Sequence, residues 1–175
     1  MNITPSIAEI MGICVGDGCI SVNNRYKELA ISGDIIEERE YYDKIIVPLF
    51  NNNVFVPVIG KKIAPKEFQK MGTYGFITFD KKIVEFMMSL GLDSGSKLNH
   101  SVPAQIMSAD KEVKISFLRG LFDTDGTISF RKNYGSNHKL HKTPRIKLEL
   151  TSKQIIDDVK QLCDELGFIY ITRKP

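Results

Sequence analysis

One pattern of twelve residues occurs twice in this chain, with five positions identical. Ile10 to Ser21 reads Ile-Met-Gly-Ile-Cys-Val-Gly-Asp-Gly-Cys-Ile-Ser; Leu118 to Ser129 reads Leu-Arg-Gly-Leu-Phe-Asp-Thr-Asp-Gly-Thr-Ile-Ser. Gly12/Gly120, Asp17/Asp125, Gly18/Gly126, Ile20/Ile128 and Ser21/Ser129 are identical, and Ile10/Leu118 and Ile13/Leu121 match in character. An internal repeat restricts the fold more than any propensity does, because both copies must form the same unit. The likeness continues through Leu29–Ser32 and Leu148–Thr151, each followed by an isoleucine pair and acidic residues. Asp17 and Ser32 lie 15 residues apart and Asp125 and Thr151 lie 26 apart, so the second copy carries an insertion of about 11 residues.

Local signals give each copy the same start. A helix is predicted over Ser6–Val15, ending at Asp17-Gly18 with Gly18 in the left-handed terminating position. Strands follow at Cys19–Asn23 and Glu28–Ser32, with a turn at Asn23-Asn24. Glu37–Phe50 reads as an amphipathic helix with Tyr41, Ile45 and Leu49 on one face. Val54–Ile59 and Tyr74–Phe79 read as strands and Lys82–Leu90 as a helix stopped by Gly91. Glu112–Phe122 is a helix, and Lys153–Leu166 another, stopped by Gly167 before a strand that begins at Phe168.

Composition sets outer limits. With 175 residues and 42% apolar residues the chain can bury a core without a metal or disulfide staple. No apolar run approaches the ~18 residues of a membrane span. Met1–Ile10 has no basic n-region and reads as no signal peptide. The odd count of cysteines (Cys14, Cys19, Cys163) and the lack of a Cys-x-x-Cys pair suit reduced thiols in a cytoplasmic or organellar-matrix compartment and disfavour a zinc site. The net charge of +3 hides an asymmetry: 13 basic and 14 acidic residues through position 115, then 11 and 7. Between Asp125 and Glu149 there is no acid, while Arg131, Lys132, Lys139, Lys142, Arg145 and Lys147 all fall there. Such a run is a solvated face or a phosphate-binding arm.

The repeated helix carries small residues four apart: Ala8, Gly12 and Gly16 in one copy, Ser116, Gly120 and Thr124 in the other. A helix-interior glycine costs about 1 kcal/mol against alanine, so Gly12 and Gly120 need a packing reason. The economical one is that the two helices pack on each other; the alternative is that each packs on its own sheet. Each helix ends in Asp-Gly, where an acid faces the negative end of the macrodipole. Side by side, Asp17 and Asp125 would repel each other, and a divalent cation with hard oxygen ligands would relieve both penalties. Paired carboxylates holding Mg²⁺ are what phosphodiester hydrolysis requires. An EF-hand is excluded: with Gly126 at its sixth position, the first and twelfth positions would be Leu121 and Lys132.

Ile10–Gly18 and Leu118–Gly126 resemble two copies of the LAGLIDADG motif of homing endonucleases. The second match is close; the first departs at Val15, where the motif has an aspartate. Leu90–Gln105 resembles the connecting block of this family and of intein endonuclease domains, whose lysine before an Ile/Val-Pro pair is best matched by Lys97, with His100 second. The resemblance implies an α+β fold of two αββαββ(α) repeats about a pseudo-twofold, with residues 1–111 and 112–175 as the repeats. Ala8, Gly12, Ser116 and Gly120 would lie at the helix interface. It implies a site-specific double-strand DNA endonuclease in which Asp17 and Asp125, with Gly16 and Thr124 beside them, hold Mg²⁺ (or another divalent cation such as Mn²⁺ or Ca²⁺). Lys97 would be the basic catalytic residue. Groove contacts would come from Arg25, Lys27, Lys61 and Lys62 on the first sheet. On the second they would come from Arg131, Lys132, Lys139, Lys142, Arg145 and Lys147. The second repeat reads as incomplete, stopping in its third strand. The expectations are therefore a monomer or a second chain completing the sheet, and, as the alternative function, a non-cleaving intron RNA maturase, a DNA-binding relative or a degenerate remnant.

Overall fold

The structure is a computed structural model describing residues 3–134 and 140–172, with the backbone alone for 131–134 and 140–142. The first helix, α1 (Pro5–Gly16), begins at Thr4, whose side chain caps the Ile7 amide, and has proline in its first turn. It runs into β1 (Gly18–Val22), which turns into β2 (Lys27–Asp34) where Asn23 Oδ1 accepts from the amides of Arg25 and Tyr26 at 2.8 and 3.0 Å. The left-handed conformation predicted for Gly18 is absent: its φ is not positive. Glycine is needed there because a Cβ would press on Cys14 Cα at 2.6 Å, where the strand leaves against the last helical turn.

Next comes α2, a continuous helical run over 39–59 built from Arg39–Tyr41, Tyr42–Ile46, Val47–Phe50, Asn51–Phe55 and Val56–Ile59, closed by Gly60 in the left-handed region. Two of its turns, Tyr42–Ile46 and Asn51–Phe55, are π-helical. Each precedes a proline, Pro48 and Pro57, whose ring crowds the carbonyl four residues back. The wider turns also keep Tyr42, Ile46, Phe50 and Val54 on one buried stripe. A strict spacing of four would drift around a helix of 3.6 residues per turn. This overturns two sequence expectations. Val54–Ile59 is helix, not strand, and the inward face is this stripe rather than Tyr41, Ile45 and Leu49.

The first sheet is antiparallel with order β1-β2-β4-β3, completed by β3 (Lys66–Phe68) and β4 (Thr73–Thr78). Its inner face packs on α2: Phe76 meets Phe50 and Phe55 edge-on at 5.1 and 5.4 Å. Helix α3 (Lys81–Ser89), capped by Asp80, buries Ile83, Val84 and Met87 against the same core. A linker with one short helix, α4 (Ala104–Met107), leads to α5 (Lys111–Asp125), capped by Asp110. The hairpin of β5 (Gly126–Tyr134) and β6 (Leu140–Leu148) follows, then α6 (Lys153–Leu166) with Gly167 left-handed behind it.

Helices α1 and α5 lie face to face with almost nothing between them. A Cβ on Gly12 would collide with the carbonyl oxygen of Phe117, and a Cβ on Gly120 with that of Glu9. Ala8 and Ser116 are both buried beside these glycines. Arg119 clasps Glu9 across the same interface with two hydrogen bonds, Nε to Oε1 at 3.0 Å and Nη2 to Oε2.

The chain is thus a mixed helix and antiparallel-sheet (α+β) protein. Among the described residues no helix is long and apolar enough to cross a membrane. The strand expected from Phe168 does not form. Residues 168–172 hold no regular structure, and Ile169 and Ile171 are exposed. Strand conformation gains its hydrogen bonds only from a neighbouring strand, and among the described residues the β5-β6 sheet has two strands.

Candidate active site and sheet faces

Asp17 caps the C-terminal end of α1 and Asp125 is the last residue of α5, so the packing of the two helices brings the acids to one place. A Cβ on Gly16 would collide with the Thr124 side chain and sit 3.2 Å from Asp125 Oδ2. Gly16 and Thr124 therefore separate the two helix ends by a single hydroxyl-bearing side chain. The Thr124 hydroxyl donates to the carbonyl oxygens of Gly120 and Leu121 at 3.1 and 3.2 Å.

Burial pushes the Asp17 carboxyl up to about 6, and the nearby Glu38 and Asp125 add repulsion, while Lys97 and the Tyr42 hydroxyl pull it down. Tyr42 donates to Asp17 Oδ2 at 3.4 Å. Asp125 is also raised by burial and lowered by Lys97. Lys97 Nζ donates to the Gly16 carbonyl oxygen. Its loop is pinned on both sides. Gly95 N donates to Ile20 O at 2.9 Å, Ser152 Oγ to His100 O at 2.7 Å, and Val102 N to Asp158 Oδ2 at 2.8 Å. His100, the second-ranked basic residue, turns its Nε2 into the protein, with no partner among the described residues. Tyr42 and Glu38 are site residues that sequence reasoning missed. Tyr42 lies in a helix whose inward face was misassigned, and Glu38 sits outside every motif.

The placement of the basic residues follows from register. In β2 the odd residues Leu29 and Ile31 are buried on the helix side, and half-buried Lys27, of the same parity, pairs with Glu85 of α3 at 2.6 Å. Lys27 therefore lies on the helix-covered face rather than on the open one. The open face consists of the other parity: Cys19 and Ser21, Glu28, Ala30 and Ser32, then Gly75 and Ile77, with Lys66 in register with Gly75. Lys66 was absent from the sequence-derived set, since its face depends on a pairing that only the structure gives. Arg25 is exposed in the β1–β2 turn, and Lys61 and Lys62 are exposed before β3. In the second hairpin Thr127 is in register with Lys147, Ser129 with Arg145, Arg131 with Thr143, and Lys132 with Lys142. Lys139 lies outside the described residues. The opposite face carries Ile128, Phe130 and Ile146, exposed at 70%, 63% and 70%; Ile20, the counterpart of Ile128, is 5% exposed.

A LAGLIDADG-like domain model matches residues 112–175, the stretch that holds α5, Asp125, the second hairpin and α6. The chain is also similar, over most of its length, to segments of much longer proteins. It is 25% identical over 173 residues to the DNA-directed RNA polymerase subunit Rpo1N of Methanocaldococcus jannaschii, covering 92% of this chain and 13% of that protein. The replication factor C small subunit of the same organism is 29% identical over 168 residues, 90% of this chain and 9% of that protein. The ribonucleoside-diphosphate reductase NrdEB subunit alpha of Bacillus subtilis is 25% identical over 177 residues, 96% of this chain and 15% of that protein. The chain spans less than a sixth of the length of these curated relatives.

LAGLIDADG endonucleases use divalent metals, and the donor set here can be tested against that. Among the described residues no three or more His, Cys, Asp or Glu side chains gather at one point. Two carboxylates do gather, both raised by burial and one of them by repulsion. Mg²⁺ keeps most of its water and takes one or two carboxylates, so the pair fits it. A Ca²⁺ shell of six to eight oxygens would need more from solvent or substrate. The Gly16 carbonyl beside the pair accepts a hydrogen bond from Lys97 and keeps a second lone pair.

Proposed function

We propose that the chain is a divalent-metal-dependent, site-specific double-strand DNA endonuclease of the homing type, carried as a module within larger proteins. The observation that supports it most is the meeting of Asp17 and Asp125 at the ends of two interdigitated helices, with the Lys97 ammonium on the Gly16 carbonyl between them. Helix packing alone has no use for two half-buried acids, both made harder to ionise by burial and one of them further by its neighbour's charge. Residues 1–111 and 112–175 act as two repeats. The contacts Gly12–Phe117 and Gly120–Glu9 map onto one another when the copies are exchanged, as a pseudo-twofold requires.

In this reading Asp17 and Asp125 hold the cation through their carboxylate oxygens. When bound, the cation polarises the scissile phosphate and lowers the pKa of an attacking water. Tyr42 fixes the orientation of Asp17. Lys97 offsets the carboxylate charge and lies where it can stabilise the phosphate in the transition state. The open sheet faces lie against DNA, with Arg145 and Lys147 among the contacts of the second hairpin. The relatives support the modular part: a similar stretch occurs in a polymerase subunit, a replication factor and a reductase, whose activities have no common step that it could serve.

A cleavage selection on randomised duplexes with Mg²⁺ tests this reading. Asp17→Asn and Asp125→Asn should each abolish cutting and leave DNA affinity within about tenfold. Undiminished cutting by either variant would refute the metal assignment. The uncovered Ile128, Phe130 and Ile146 favour a second reading, a non-cleaving remnant that still binds nucleic acid. It would give binding without cutting in the same assay.

A further inference from the structure

If DNA lies against the open sheet faces, the two repeats meet it with opposite charge at one matched position. Ser21 and Ser129 close the twelve-residue match, and each stands in a rung of its hairpin ladder. Opposite Ser21 in register stands Glu28; opposite Ser129 stands Arg145. One rung nearer the active site, Cys19 faces Ala30 and Thr127 faces Lys147. The repeat has thus kept the serine and reversed the charge of its partner.

Glu28 is no accident of a solvated edge. It is half-buried on the face opposite Leu29 and Ile31, and among the described residues nothing hydrogen-bonds or ion-pairs with it. A carboxylate beside DNA is repelled by every phosphate, and with no cation paired to it among the described residues it is best offset by accepting a hydrogen bond from a base edge. In the major groove that partner is the cytosine N4 amino group. Arg145 presents a donor fork that matches the O6 and N7 acceptors of guanine.

We infer that Glu28 and Arg145 are specificity-determining residues that make the recognition sequence asymmetric. Cytosine is selected at the base pair under the Ser21–Glu28 rung, and guanine at the base of the other half-site that occupies the matched position under the Ser129–Arg145 rung. Two copies of one unit with identical contacts would select a palindrome; this rung breaks it. The inference rests on the DNA-binding part of the function proposed above.

The test is a binding selection from randomised duplexes without added divalent cation, so that no cutting is needed. Wild-type protein should enrich the two bases about tenfold each. Glu28→Gln, a surface change of the same shape, should move one preference from cytosine to adenine, because the glutamine amide pairs with adenine N6 and N7. The other half-site should be unchanged. Arg145→Gln should move the guanine preference to adenine in the other half-site only. The exchange Glu28→Arg with Arg145→Glu should swap the two preferences. A Glu28→Gln profile identical to wild type, or one altered evenly at all positions, overturns the inference while leaving DNA recognition standing. A wild-type protein that enriches no sequence overturns DNA recognition and the inference with it.

Discussion

Replacing Gly12 with alanine tests how closely α1 and α5 approach. Alanine is the better helix former by about 1 kcal/mol, so an isolated helix would be stabilised. Here the new Cβ would lie 2.7 Å from Leu121 N, against 3.4 Å for ordinary contact, and closer still to the Phe117 carbonyl. Both obstacles are backbone, which cannot rotate away. The helices must separate by roughly 0.7 Å or more, opening space along the shared core of Ile10, Ile13, Phe117 and Leu121. Overpacking of this kind costs about 1–3 kcal/mol, and obstruction by backbone puts it at the upper end. A net loss of about 2 kcal/mol lowers the melting temperature by roughly 4–8 °C in a chain of this size. Gly120→Ala should behave alike, its Cβ lying 3.0 Å from Ile13 N. Because one separation serves both, the double variant should lose less than the sum of the singles by about 1 kcal/mol. Urea and thermal melts of the four proteins measure this. A Gly12→Ala protein as stable as wild type, or a fully additive double variant, would refute the reciprocal contact.

Asp17→Asn should stabilise the protein above pH 6 by up to about 3 kcal/mol, because a carboxyl raised to about 6 penalises folding once ionised. The native state keeps the proton longer than the unfolded chain does. Wild-type stability should therefore fall from about pH 4 to pH 6, and the variant should flatten that slope in pH-dependent melts. Millimolar Mg²⁺ should raise the wild-type melting temperature and leave those of Asp17→Asn and Asp125→Asn unmoved; equal shifts in all three would place the ion elsewhere. Neutralising Lys66 and Lys147 together, both on the open sheet faces, should reduce the slope of log affinity against log salt by about 2, read by fluorescence anisotropy on duplex DNA. Tyr42→Phe, which keeps the ring against Tyr74, should slow cutting of one strand more than the other, since of the two acids only Asp17 has a tyrosine partner among the described residues.

Much of the framework was legible because the signals were local. Helix α6 has the bounds its periodicity and Gly167 predict, and the extents of β1 and β2 were off by one or two residues. The glycine spacing pointed to the α1–α5 contact, since glycine inside a helix has few other reasons. The failures were those of tertiary context. The run Val54–Ile59 looks like a strand by composition, and it is helical because the π turns before Pro48 and Pro57 keep one stripe facing the sheet. Gly18 looked like a left-handed cap; it is small for the sake of Cys14. Phe168–Ile171 has strand composition without a neighbouring strand. Lys27 and Lys66 show why charge runs do not give faces: alternate strand residues point oppositely, and only register says which way. Lys97 stood out in the sequence through a family resemblance alone, as the ties of its loop to Ile20 and α6, made by Gly95, His100 and Val102, leave no local pattern.

The contact between α1 and α5 has a consequence for how such a chain can change over generations. The atoms in closest apposition are main-chain ones, the carbonyls of Glu9 and Phe117 and the amides of Ile13 and Leu121. The spacing of the two acids is therefore set by the glycines, the main chain and the Thr124 side chain between the helix ends, none of them on an open sheet face. The open sheet faces can drift in sequence, and with them any preference they express, without retuning the place where Asp17 and Asp125 meet. Inheritance can treat the two as separate traits, with one frozen by two glycines and the other free to vary.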